Sequence, residues 1–256
     1  IGVKPESNFE TFFIELINSQ VPVTFLEDYK KIQNYIKRYL DFSPKKIISD
    51  VKYASNTIFK FWLANSYIKG SKIITTDHGG YYGVTTANEE VRSISNKIFI
   101  YSKKNDNNKI HVPILHKFNK REKILSKLLV ITHGVCKYPH YVTTYPVSGQ
   151  ALDQIELVKN FYNTIPKKIY SNFYIRPYQG QGWNLNERYK KIFDPAKILI
   201  EKKKYEEVFK ISKLVISTYP KTSFYESFLS GPSILLTNLD HFKINKEFNE
   251  LHGVLK

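Results

Sequence analysis

Residues 214–236, LVISTYPKTSFYESFLSGPSILL, restrict the architecture of this chain more than any other stretch. Two short apolar runs, 214–217 and 233–236, read as buried strands. Between them lie a polar turn (218–222), a helical segment (223–229) and the break Ser230-Gly231-Pro232. Strand, helix and strand at this spacing make a βαβ unit with a parallel pair of strands. The helix would start at the end of a parallel strand. Its first N–H groups lack intrahelical partners and carry a partial positive charge, which suits a phosphate. Thr222 and Ser223 place hydroxyls at that end, and Glu226 lies one helical turn further, on the same side. The same residues also fit a plain βαβ unit in which Thr222 or Ser223 is the N-cap.

The rest of the chain continues the pattern. Apolar runs at 46–50, 72–76, 97–101, 110–115, 127–132, 169–175 and 198–201 read as strands. Segments 56–68, 148–162 and 205–213 read as helices. Phe59, Trp62, Leu63 and Tyr67 mark the inner face of the first, which Gly70 closes. Leu152, Ile155, Val158, Phe161 and Tyr162 mark that of the second. Ahead of them, Phe9, Phe12, Phe13, Leu16 and Ile17 share one helical face, and Tyr29, Ile32, Ile36, Tyr39 and Leu40 another. Pro22 separates the two helices and Ser43-Pro44 ends the second. A polar loop and helix are expected over 240–251. The polar, basic stretch 102–122 reads as a link between residues 1–122 and 123–256. The fold class is therefore α/β, with two Rossmann-like domains facing a cleft between the C-terminal ends of their sheets. The chain contains no Met, not even at its start, which points to a fragment with an incomplete first domain.

Charge narrows the partners. With 39 Lys+Arg against 23 Asp+Glu, the formal charge of +16 attracts nucleic acid, anionic membrane or phosphorylated small molecules. The lysines are dispersed, and no arginine-rich stripe or zinc-finger spacing occurs, so dedicated nucleic-acid binding is not expected. Peripheral contact with an anionic inner membrane leaflet stays open. No run of about 18 apolar residues exists, so no spanning helix is expected, and the N-terminus lacks the layout of a signal peptide. Cys136 is the single cysteine, which excludes an intrachain disulfide and fits a reducing cytoplasm.

Several strand ends carry candidate chemistry. Asp77-His78-Gly79-Gly80-Tyr81-Tyr82-Gly83 follows the 72–76 strand. A carboxylate and an imidazole on a glycine turn can act as base, acid or nucleophile; equally, Gly79 and Gly80 only turn the chain while His78 caps a backbone group. His133-Gly134 ends the 127–132 strand and reads as a cleft group or a structural histidine. Arg176 precedes the glycine turn that contains Gly182, and could clamp a phosphate or carboxylate or form a surface salt bridge. Arg188 reads as a second such cation or as part of a solvated helix face. Trp183 could stack on a sugar or base, or pack in the core. No HxxxH, HExxH, DxD, Walker A or GxGxxG pattern occurs, which disfavours kinase and dinucleotide chemistry and leaves no supported metal site.

Three of these motifs, in this order, resemble the transferase family of surface-carbohydrate biosynthesis of the lipopolysaccharide O-antigen type. Asp77 to Gly83 resembles that family's QHGGxYG turn, with Asp77 in place of Gln. Arg176-Pro177-Tyr178, Gly182-Trp183 and Arg188 resemble its Arg-hydrophobic-Tyr segment with a following Gly-Trp and Arg. Tyr219 to Glu226 and Gly231-Pro232 resemble its YNSTTYLE segment and the Pro strand after it, with Pro220 in place of Asn. The resemblance runs from about residue 20 to the end, and members are longer chains.

The resemblance implies a GT-B-like, metal-independent glycosyltransferase of cytoplasmic location with no cofactor, whose co-substrate is a nucleotide-sugar donor and whose acceptor is a glycan or a lipid-linked sugar. It implies that Thr222, Ser223, Arg176 and Arg188 bind the donor, that Glu226 holds its ribose or base, and that Asp77 or His78 acts on the acceptor; His133, from its place at a strand end, is a further candidate for donor binding. CMP-activated Kdo or another nonulosonic acid is one donor it allows. A polyol-phosphate transferase of teichoic-acid type and a non-catalytic basic module of a polysaccharide machine remain alternatives.

Overall fold

The computed structural model describes residues 4–20, 23–50, 52–79, 93–101, 108–112, 127–134, 137, 148–180, 182–199, 204–238 and 241. Gly80, Cys136, the Tyr- and Pro-rich loop at 138–147 and most of the segment expected over 240–251 lie outside them. Two compact units result, Ile1–Ile74 and Thr75–Lys256. The strands form two four-stranded sheets, and every register described is parallel.

The first unit opens with three helices, α1 (Asn8–Gln20), α2 (Val23–Leu26) and α3 (Tyr29–Tyr39). Strand β1 (Lys46–Ser49), the short α4 (Lys52–Ser55) and α5 (Thr57–Ile68) follow. Asn56 caps α5 by accepting from the Phe59 N–H at 2.8 Å. Its other end closes with Gly70 at φ +96°, where Gly70 N–H reaches Tyr67 O and Ser71 N–H reaches Ser66 O. That is the paired closure a left-handed residue allows. Trp62 and Leu63 point inward as their spacing predicts, and Trp62 Nε1–H donates to Phe42 O at 3.1 Å. Tyr67 does not: it is exposed, and the small Ser66 takes the buried position.

Strand β2 (Lys72–Thr76) precedes β3 (Lys97–Ile100) and β4 (Lys109–His111), and the sheet order is β1-β2-β3-β4. The second unit continues with β5 (Lys127–Ile131), α6 (Gln150–Thr164), β6 (Phe173–Arg176) and α7 (Leu185–Lys190). It then adds α8 (Tyr205–Lys210), β7 (Ser212–Ser217), α9 (Thr222–Ser230) and β8 (Ser233–Leu235), in the sheet order β6-β5-β7-β8.

Alternation along these strands builds two cores, one on each face. Leu128 and Val130 of β5, Phe173 and Ile175 of β6 and Ile216 of β7 pack with Ile155 and Val158 of α6. The intervening Leu129, Ile131 and Val215 pack with Val208 and Phe209 of α8. A strand covered on both sides must be apolar at every position, which is why β5 reads as an unbroken run. Three local readings change. Residues 169–172 are a 3₁₀ turn and not strand, and β6 starts only at Phe173. Helix α8 stops at Lys210, since Ser212 already pairs in the sheet. Leu152 faces solvent on α6, while Ala151 and Gln154 are buried.

Candidate functional site

The connection from β5 goes to β6 on one side, and the chain then returns past β5 to β7 on the other. The C-terminal ends of β5 and β7 therefore flank the point where the order reverses, the place where open α/β sheets take ligands. The residues just beyond both strands meet there. Thr218 N–H donates to Ile131 O at 3.1 Å, and its Oγ1 accepts from the His133 N–H at 3.0 Å. The His133 and Tyr219 rings stack at 4.0 Å and 10°. On the other side of β5, Thr132 Oγ1 accepts from the Tyr178 N–H at 3.0 Å, and the Tyr178 ring approaches His133 at 6.3 Å. Gly134 lies flat on the Tyr178 ring, where any Cβ would overlap ring carbons.

This packing sets the charge states. Burial, with the Lys221 ammonium nearby, lowers the His133 pKa from 6.5 to about 3, so the imidazole is neutral in ordinary solution. The Lys221 Nζ lies 4.9 Å from the centre of the Tyr219 ring. The Arg176 guanidinium sits 4.3 Å from the centre of the Tyr205 ring. Burial raises the Tyr205 phenol, and Arg176 opposes that shift while Tyr178 and Glu226 add to it. Glu226 and Arg176 thus act on one phenol from different elements.

The βαβ unit of 212–235 forms as the sequence predicts. Lys221 is the residue before the first turn of α9, and Thr222 is already helical, so neither Thr222 nor Ser223 is an N-cap. Both side chains stay outside the capping position. Against this turn stands the end of β2. Gly79 has φ +75°, and its α-carbon faces Thr222 so closely that an added Cβ would overlap Thr222 Oγ1 and lie 3.1 Å from the Thr222 N. Asp77 is 3% exposed and donates its N–H to Phe99 O at 2.7 Å. Its charge, after burial, helps raise the Tyr225 phenol of α9. His78 is exposed. All these residues belong to the second unit.

The chain matches the model of the LIC12162 family transferase over residues 3–256. It belongs to the LIC12162 family of transferases. No curated protein matches it. Within this LIC12162 family member, the structure gathers Asp77, Gly79, His133, Arg176, Thr222, Ser223 and Glu226 around the switch point and α9. Gly182 and Arg188 line a separate hollow with Trp183 and Lys137. Sequence reading passed over Tyr219, Lys221, Tyr205 and Thr218 as site residues. The available signal was position: Thr218, Tyr219 and Lys221 directly follow β7, as His133 follows β5. Among the described residues, no group of three or more His, Cys, Asp or Glu could hold a metal ion, and no helix is long and apolar enough to cross a membrane.

Proposed function

We propose that this transferase is a metal-independent glycosyltransferase of GT-B type, moving a sugar from a nucleotide-sugar donor to a cell-surface glycan or lipid-linked acceptor. The observation that supports this most is the start of α9 at the switch point of the β6-β5-β7-β8 sheet, with the Gly79 turn against Thr222. The first N–H groups of a helix are available to a ligand, and the adjoining cations Lys221 and Arg176 favour an anionic one. In the reaction, the acceptor oxygen attacks the anomeric carbon and the bond from that carbon to the donor phosphate oxygen breaks. The electron pair leaves with the phosphate, which the Thr222 and Ser223 groups and the two cations stabilise. The acceptor proton goes to His78, the exposed member of the Asp77-His78 pair, while buried Asp77 holds the turn. The neutral His133 on Tyr219 supplies a flat wall for the nucleoside, and Glu226 accepts from its ribose hydroxyls.

A thermal-shift series with CMP, CDP, UDP and GDP tests this reading, because a ligand that binds only the folded protein raises its melting midpoint. One nucleotide should raise it selectively. CMP is the first to try, as for a CMP-activated nonulosonic acid such as Kdo. Silence with all of them refutes the donor site. Mass analysis of the product then separates an added sugar from an added glycerol phosphate, the product of a polyol-phosphate transferase.

A further inference from the structure

We propose that the hollow beside α7 is a second ligand site, which takes an anionic saccharide: a sugar unit bearing a carboxylate or a phosphate. The hollow has a volume of about 580 Å³, within the range of small-molecule sites. Trp183 forms part of its wall, half-buried. Arg188 is anchored twice to that residue. Its Nε–H donates to the Trp183 carbonyl at 2.9 Å, and its guanidinium lies 5.4 Å from the indole centre. Both anchors leave the two terminal amino groups of the guanidinium for a ligand, and Arg188 pairs with no carboxylate among the described residues. A planar pair of donors is what a carboxylate or phosphate accepts from in bidentate fashion.

The surrounding charges point the same way. Lys191 also lines the hollow and has no carboxylate partner among the described residues. Lys137 lines it too, with its ammonium 5.8 Å from the indole centre. The two lining carboxylates are already engaged from outside: Glu187 with Lys190 at 2.7 Å and Glu156 with Lys159 at 3.0 Å. The positive charge of Arg188 and Lys191 is therefore not cancelled. Donors without acceptors, beside an aromatic face, select an anion carried on a ring that can stack. Among the described residues no hydrogen bond or ring contact joins Arg188 to Arg176, Lys221 or α9, so this site does not depend on the nucleotide reading of the switch point.

The chain has two tryptophans, so Trp62→Phe leaves Trp183 as the sole indole reporter. Its fluorescence is followed while a trisaccharide of hexuronic acid, glucose 1-phosphate or uncharged maltotriose is added. At least one anionic ligand should give a saturable change, and maltotriose none. A response to the hexuronate alone identifies a carboxylate, and one to the sugar phosphate alone identifies a phosphate. Arg188→Gln should weaken binding about tenfold or more, the loss of a charge-assisted hydrogen bond. It should leave the nucleotide-induced thermal shift unchanged. If Trp62→Phe does not fold, calorimetric titration of the unaltered chain and of Arg188→Gln gives the same comparison. Equal binding of maltotriose, no binding of either anion, or an unchanged affinity in Arg188→Gln overturns the proposal. So does competitive displacement of the sugar by the nucleotide, which would merge this hollow with the donor site. Binding of the anionic sugar with no nucleotide response would instead refute the donor site and leave this one standing.

Discussion

Replacing Gly79 with alanine tests whether the end of β2 really abuts the first turn of α9. Two costs are expected. The first is backbone strain: Gly79 sits at φ +75°, a region where an L-residue costs about 1–2 kcal/mol. The second is steric. The new Cβ would overlap Thr222 Oγ1 and stand 3.1 Å from the Thr222 N and 3.5 Å from its Cβ. Threonine is stiff about χ1, and the nitrogen belongs to the helix, so the turn and the helix must separate. Overpacking of this kind costs about 1–3 kcal/mol, for a total of about 2–5 kcal/mol. Gly180→Ala is the matched control, since Gly180 has φ +99° but nothing within 4 Å of its added Cβ. It should lose only the backbone share, about 1–2 kcal/mol. Urea unfolding of both variants, with the nucleotide thermal shift measured alongside, gives the comparison. Thr222→Ala removes the overlapping oxygen, so the double variant should recover part of the steric share and be non-additive. If Gly79→Ala is no less stable than Gly180→Ala, or if the two substitutions simply add, the turn does not press on α9.

Acid should weaken the fold through His133. Its folded pKa, held to about 3, lies below the ordinary 6.5, so the unfolded chain takes up a proton that the folded chain refuses. Stability is therefore lost progressively as pH falls from 6.5 towards 3, and His133→Gln should flatten that part of a urea-midpoint profile. Thr218→Val keeps the shape of a buried residue but removes the acceptor of the His133 N–H. It should cost about 1–3 kcal/mol and speed hydrogen exchange at the His133 amide. Ile175→Ala, at a fully buried position of β6, should cost about 2–5 kcal/mol in urea unfolding and leave nucleotide selectivity intact.

Local patterns carried much of the fold. The unit 212–235 appears where two apolar runs and a Gly-Pro break require it, and β5 appears as the unbroken run that a doubly covered strand needs. Gly70 closes α5 because the turn demands a positive φ, a property of the residue itself. Failures occur where periodicity is an insufficient guide. Tyr67 and Leu152 keep helical spacing but lie beyond the edge of the covered face, and residues 169–172 belong to a 3₁₀ turn that leads into β6. Arg176 and Thr222 were legible as candidates because they stand at or soon after a strand end, and Glu226 because it lies one helical turn from Thr222. Their partners were not.

What the sequence determined by itself is the inventory: parallel strands, the helices between them, and polar groups at the carboxyl ends, all consequences of local side-chain chemistry. Only the tertiary structure decided the strand order β6-β5-β7-β8. That order stacks Tyr219 on His133 and sets Arg176 on Tyr205. The closeness of Gly79, which follows β2 of the other sheet, to Thr222 is also tertiary, since these residues are far apart in the chain. Such meetings depend on which strand lies beside which. Strand pairing is long-range, and a hydrophobic run reports that it is buried without reporting what it is buried against.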